Sequence, residues 1–537
     1  MASYLLSGNT LSNFLASIIG LVIITIGYYV CLTVYRLYFS PISHIPGPKL
    51  AAATWGYEFY YNVIQGGQFY KQIAKLHKQY GPIVRITPLE VHIDDPEFYD
   101  TIYSNSERRD KTPWHHNPYT ADKATFATSN HELHRTRRGT LNPYFSKSQI
   151  RKFTPWIQDR ADVLCRRFTE EYKGTDEIVA LNEAFACLTA DVVMEYSFAE
   201  NYNLVENPGF IAPLNKVLEV YLRSVHVASY FPIIVQLQVN ILPKWFVTWL
   251  DPQSDTILTW QNDIERQIDS VMSGTNQKNQ DVSHATIFHE ILQSHRPAQE
   301  KSKQRLFDEA QTIVSAGVET TAWTMSVTMF YLLNNKEIMD KLTKELEEAW
   351  TDPSTPLDLA TLEALPYLTA VIQEGLRLAY GGAQRLPRIS PDKDIPYTNP
   401  SGSKTYLLPR GTPISMSSLI MHHNETVFPQ SHTFAPERWL PSPPEHLRAP
   451  VIANSKNFNE KEKEKPLSRY LVSFTKGSRT CLGMQLAYAE LYITLANVVR
   501  KNKFELFETG EVDVVCDREF LLARPKEGSL GVRVKVV

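Results

Sequence analysis

The segment Phe474-Thr475-Lys476-Gly477-Ser478-Arg479-Thr480-Cys481-Leu482-Gly483 constrains this chain more than any other, because half of its residues serve the cysteine. Gly477 permits a tight turn, and Gly483 lets the backbone lie close to a flat ligand. Arg479 can pair with a carboxylate, and Phe474 can shield a sulfur. Apolar residues then recur at helical spacing from Met484 to about Lys501. Cys481 therefore sits near a helix N-terminus, where the dipole and unpaired N–H groups favour thiolate over thiol. An isolated cysteine near a helix is most often a buried structural residue. Five fixed positions at this spacing, however, should arise by accident in roughly one chain of this size per ten thousand. The pattern points to a cysteine held against a haem, whose axial thiolate pushes electron density onto the iron and favours O–O cleavage.

The pattern Phe-x-x-Gly-x-Arg-x-Cys-x-Gly, matched at every fixed position, resembles the haem-binding loop of the cytochrome P450 family. The resemblance implies a mainly α fold with small β-sheets. It also implies haem b (iron protoporphyrin IX), with Cys481 as the axial iron ligand and Arg479 on a propionate.

Phe14 to Tyr35 is an uncharged run long enough to cross a bilayer as a helix, with Tyr28, Tyr29, Tyr35 and Tyr38 near its end. A cleaved signal peptide fits worse, because no basic segment precedes the run and no small-x-small site follows it. Lys and Arg are absent before it and appear after it at Arg36 and Lys49, which puts the large C-terminal part in the cytosol. The five cysteines, at 31, 165, 187, 481 and 516, form no Cys-x-x-Cys pair and suit a reducing compartment. The expected order is a short lumenal N-terminus at 1–13, an anchor at 14–35, a proline-rich hinge at 36–48 and one catalytic domain at 49–537. A single-pass protein of the endoplasmic reticulum membrane, in contact with lipid, follows. A net charge of −3 gives no sign of nucleic-acid binding.

Ile83–Thr87 and Glu90–Asp94 flank Pro88 and alternate like a hairpin, whereas most later segments have helical spacing. Residues 273–281 and 441–465 read as solvated surface loops. A long helical run from about Arg305 to Leu333 carries Ala316-Gly317-Val318-Glu319-Thr320-Thr321, where small residues make room for a ligand. A Glu-Thr pair in a helix is usually a surface pair or a back-bonded threonine. Upstream of this cysteine loop it resembles the family's oxygen-activation motif, with Thr320 as the hydroxyl and Glu319 as the acid of a proton relay.

Glu374 and Arg377 share one helix face, which alone means little. With Arg438 in Phe434-Ala435-Pro436-Glu437-Arg438-Trp439 they resemble the family's buried Glu-Arg-Arg network, a structural support of the haem loop. Arg138, Arg388 and, less securely, His134 fit further propionate contacts, because many relatives carry tryptophan where His134 falls. The pairs His115-His116 and His422-His423 lack partners at metal-binding spacing and are assigned no metal.

The expected reaction is monooxygenation of a hydrophobic small molecule with O2, and the phrasing of the chain resembles fungal enzymes of secondary metabolism, trichodiene-oxygenase-like relatives among them. Its substrate would be a terpenoid or polyketide intermediate, contacted by variable loops at 112–126, 201–230 and 379–386. Alternatives are a non-redox isomerase or dehydratase on the same fold, and a haem-binding sensor without turnover. Only about 55 residues follow Cys481, too few for a fused flavin domain, so electrons are expected from a separate NADPH-dependent cytochrome reductase. Lys476, Arg135, Arg137 and Arg138 would attract its acidic surface.

Overall fold

The computed structural model describes residues 2–112, 121–232, 242–250, 252, 254–449 and 466–537. Helix α1 (Ala2–Val34) takes in most of the expected N-terminal segment as well as the apolar run. A π-helical turn, Tyr35–Phe39, prolongs it, so the stretch apolar enough to span a bilayer is Asn13–Phe39.

The hinge then docks on the body instead of spacing it. Arg36 donates to Ala53 O at 2.8 Å, and Arg85 donates to Arg36 O at 2.8 Å. Ile42 and Ile45 are buried in a core with Tyr99, Tyr397 and Phe428.

Helix α2 (Phe69–Tyr80) leads into the hairpin β1 (Ile83–Arg85) and β2 (Val91–Ile93), which pair antiparallel as expected, Ile83 opposite Ile93. Further along come β3 (Asp110–Lys111), α3 (His131–Leu141), α4 (Lys147–Arg167) and α5 (Leu181–Phe198). The segment 201–230, expected as a loop, is mostly helix α6 (Pro213–Tyr230), for which Pro213 supplies a preset first turn. Helix α7 (Ser254–Ser273) precedes a stretch at 273–281 that is largely exposed but pinned by Asn276, whose side chain donates to Phe198 O at 2.8 Å. Residues 113–120 and 450–465, which include His115, His116 and most of the expected 441–465 loop, lie outside the described residues.

Helix α8 (Lys303–Asn334) runs about 48 Å through the protein and is buried along most of its length, apolar in its C-terminal half and with buried Arg305, Asp308 and Glu309 in its first turns. It packs on α5 and on α9 (Pro366–Ala379). Gly317 meets α5 where a Cβ would come within 2.8 Å of Val193, so this small residue makes room for a helix, not for a ligand.

The larger sheet continues with β4 (Arg388–Ile389), β5 (Ile395–Thr398), β6 (Thr405–Leu408) and β7 (Pro413–Ser415), of which β5 and β6 form a separate hairpin. Its strand order is β1-β2-β7-β4-β3. Helix α10 (Met484–Lys501) follows the cysteine loop, and the hairpin β8 (Arg518–Phe520) and β9 (Leu522–Arg524) lies near the C-terminus. One apolar core joins residues from Leu141 to Val536, which fits one large body better than separable modules.

Candidate active site

The cysteine loop is shaped by short contacts. Gly477 has φ +76°, and a Cβ there would collide with Tyr103 O. Cys481 N donates to Phe474 O at 2.9 Å, closing the loop, and the Phe474 ring lies 5.1 Å from that of Tyr488. A Cβ on Gly483 would meet no protein atom, which leaves the space above it open to a ligand.

Cys481 is the one exposed cysteine outside helix α1, yet burial pushes its thiol above the ordinary value. The Gly483 N–H and Arg138 pull the other way without winning. Its accessible face therefore opens on space inside the protein. The expected preference for thiolate does not come from the helix end alone; a coordinated metal ion would supply it, since a bound metal deprotonates a thiol outright.

Beside the cysteine lies a cluster of cations. In the sheet register Lys111 stands directly opposite Arg388, a like-charge pair that is destabilising by itself. Both are buried, as are His134 and Arg479, and Arg138 is half-buried. Burial first, and then Arg388, Arg479 and Arg138, hold the Lys111 ammonium well below the usual lysine range. Burial and the same cations push His134 down to about 2, and burial and Arg388 bring Arg479 to about 9.

The cluster is satisfied mostly by backbone. Lys111 donates to Phe126 O at 2.6 Å, Arg479 to Thr128 O and Ser129 O at 2.7 and 2.6 Å, and Arg138 to Thr480 O. Among the described residues, Asp110 is the one carboxylate that acts on any of them. A dianion of the size of a haem's propionate edge is what such a donor set lacks, so these residues fit the group. Neutral His134 can still donate one ring N–H, as a tryptophan in its place would.

Thr320 donates to Ala316 O at 2.8 Å, the back-bonding usual for helical threonine. What sets it apart is position. Ala316 is exposed and Thr320 half-buried, whereas Val318, Glu319 and Thr321 are buried, so α8 opens along one strip. Glu319 does not share that strip. Its carboxylate accepts from Arg524 of β9 at 2.6 Å.

Glu374, Arg377 and Arg438 meet as expected, with no side-chain exposure. Arg377 donates through Nε and Nη2 to both Glu374 oxygens at 2.8 Å, and Arg438 Nε adds a bond at 3.0 Å. Burial alone would raise the Glu374 carboxyl, but the two arginines hold it below its ordinary value.

His422 carries this network to the cysteine loop. Its Nδ1 donates to Arg377 O at 2.8 Å and its Nε2 accepts from Val472 N at 3.0 Å, while Ser473 donates to Leu376 O at 2.8 Å. His423 is likewise engaged, by Tyr380 and Ser431.

Lys111 belongs to no motif of the sequence; its role depends on strand register. The basic docking face needs correction. Lys476 pairs with Asp100 at 3.0 Å, Arg137 with Glu300 at 3.5 Å, and Arg138 turns inward, which leaves Arg135 as the exposed one of the four.

A mainly helical fold with one accessible loop cysteine and a group of buried basic side chains has the makings of a site that could hold a haem. Residues 46–532 match the pattern of the cytochrome P450 family. The chain is 40% identical to cytochrome P450 monooxygenase tpcC of Cochliobolus heterostrophus over 533 residues, covering 97% of each. It is 41% identical to cytochrome P450 monooxygenase MO6277 of Ascocoryne sarcoides over 515 residues, 94% of this chain and 95% of that one. With cytochrome P450 monooxygenase TRI4 of Fusarium sporotrichioides it shares 35% over 521 residues, 96% and 95% of the two. The chain belongs to the cytochrome P450 family. Its activity is that of a monooxygenase, of the type found in fungal secondary metabolism, and the family implies a haem-thiolate cofactor.

Proposed function

We propose that Cys481 ligates the iron of haem b, that Lys111, His134, Arg138, Arg388 and Arg479 hold its propionates, and that the substrate is a hydrophobic terpenoid or polyketide intermediate. The observation that carries this reading is the accessible thiol beside several buried basic side chains on which, among the described residues, Asp110 is the one carboxylate that acts. When bound, the haem supplies O2 binding and O–O cleavage, which the thiolate favours.

The chain's own residues do the rest. Each turnover takes up two electrons and two protons; one oxygen atom enters the substrate and the other leaves as water. Thr320 Oγ1 hands on protons along the open strip of α8. Glu319, the preceding residue, is the acid of the relay. The electrons come from a separate NADPH-dependent reductase. The apolar helix anchors the protein in the endoplasmic reticulum membrane with the body in the cytosol, in keeping with Arg36 in the last turn of the span and Lys49 beyond it.

Thr320→Ala is expected to bind haem and substrate normally but to lose at least about tenfold in product per NADPH consumed, the reductant going to peroxide or water. Unchanged coupling, measured with purified reductase, would remove Thr320 from the relay. An isomerase, dehydratase or passive sensor would consume no NADPH when substrate is added.

Lys111→Met tests the cation cluster. Removing one of several like charges should raise the thermal midpoint of the apoprotein while haem affinity falls roughly tenfold, the equivalent of about 1.4 kcal/mol. Equal haem affinity in both proteins would exclude Lys111 from the propionate site.

A further inference from the structure

Segment 121–129 runs between the first turns of helix α8 and the cation cluster, and its peptide groups divide their partners by sign. Its amides meet acids. Lys123 N donates to Asp308 Oδ2 and Thr125 N to Glu309 Oε2, both at 2.9 Å, and Thr125 Oγ1 adds a bond to Glu309 Oε2 at 2.7 Å. Its carbonyls meet bases. Lys111 Nζ donates to Phe126 O, and Arg479 donates to Thr128 O and Ser129 O.

The two acids are each only 2% exposed, and a buried carboxylate is costly unless it is bonded. Glu309 pairs with Arg305, which in turn donates to Thr125 Oγ1 at 3.0 Å; Asp308 also accepts from Gln304 Nε2 at 2.7 Å. Between its two ends the segment is stiffened by turns. Ala124 N donates to Ala121 O at 2.9 Å, Thr128 Oγ1 to Ala124 O at 2.8 Å, and Arg137 of α3 to Thr128 Oγ1 at 2.8 Å. A displacement at the amide end is therefore passed to the carbonyl end.

Charge is passed the same way, because bonds in series polarise one another. A carboxylate on the amides makes the carbonyls of the same turns better acceptors for the cations beyond. Among the described residues, neither Asp308 nor Glu309 acts directly on Lys111 or Arg479. What the acids do to the cluster passes through the segment.

We propose that segment 121–129 is an electrostatic strap that sets the propionate site, and that Glu309, aided by Asp308, is its positioning residue. The acids fix the strap's amides, the turns carry that position to the carbonyls of Phe126, Thr128 and Ser129, and those carbonyls hold Lys111 and Arg479 ready for the propionates. The proposal rests on the haem reading above and extends it to acids that lie outside the cation cluster.

The rate at which haem passes to an excess of a haem-scavenging apoprotein is the readout. Glu309→Ala should release haem about tenfold faster than wild type, the scale of a lost hydrogen bond to a charged group. Glu309→Gln, which can still accept from Thr125 N, should recover most of that loss. The Lys111→Met background decides how the effect travels: through the strap, Glu309→Ala should there speed release by roughly threefold or less. The full effect in both backgrounds would mean a general loss of stability and would overturn the proposal, as would wild-type release in Glu309→Ala. In the apoprotein, hydrogen exchange at the Thr125 amide should be faster in Glu309→Ala than in wild type; equal protection would remove Glu309 as the strap's anchor. If Glu309→Ala fails to fold, Thr125→Val, which removes one hydroxyl and no charge, should speed haem release by a smaller factor with the same dependence on Lys111. Failure of the haem reading would look different, because the wild-type protein would then take up no haem.

Discussion

Reduced Cys481→Ala protein exposed to carbon monoxide is expected to lack the red-shifted Soret band of a thiolate-ligated haem and to form no product. This is the largest functional loss of any single substitution in the chain. The other cysteines of the body offer no substitute. Burial pushes the Cys165 and Cys516 thiols up to about 12, and Cys187 is raised as well, by burial and then by Asp191 and Glu183. Alanine at any of those three should leave the band in place. A Cys481→Ala protein that kept the band would refute the ligand assignment.

The largest loss of stability is expected from Arg377→Leu. That change strips Glu374 of two bonds and leaves the carbonyls of His422, Ser431 and Thr433 without their donor. Breaking a buried ion pair costs about 3–5 kcal/mol, a large part of the roughly 5–15 kcal/mol that holds a typical fold, and the bonds Glu374 keeps to Arg438, Ala435 and Trp439 offset only part of it. Expression should give little soluble holoprotein, and what folds should unfold at much lower denaturant concentration. The same network sets an acid limit. Because the Glu374 carboxyl is held below its ordinary value when folded, its contribution is present above the ordinary glutamate range and is lost as pH falls through the depressed value. Denaturant midpoints of wild type and Glu374→Gln measured down to acid pH should converge as the wild type loses that term; midpoints falling in parallel would remove Glu374 as a source of the acid limit.

What was legible in the sequence was local or strictly spaced. The turn at Gly477, the helix after Gly483 and the Glu374–Arg377 face are written within a few residues of chain. Lys111 and Arg388 become neighbours through the register of β3 and β4, which no short window reveals. The partnership of Glu319 with Arg524 spans 205 residues and depends on a hairpin near the C-terminus. The sequence rules out a metal role for His422 by spacing but offers no other; its part as a strut exists only when helix α9 and the cysteine loop are both in place. The basic docking face failed for the converse reason. Charge was readable, but the acids that neutralise it, Asp100 and Glu300, come from other segments.

The fastening of the apolar helix to the body would change how this enzyme moves on a membrane. A tethered globule on a loose linker tumbles freely and presents every side to the bilayer in turn. Here Arg36 and Arg85 clasp the end of the span, and Ile42 and Ile45 are part of the core, so the helix and the body rotate together. With α1 in a bilayer, as proposed above, diffusion in its plane would become a search with few poses, in which one flank meets lipid and another meets what approaches from the water. Any shortened chain prepared for crystallisation should begin no later than Ser40, because removing Ile42 and Ile45 would take out core side chains and not merely a leash.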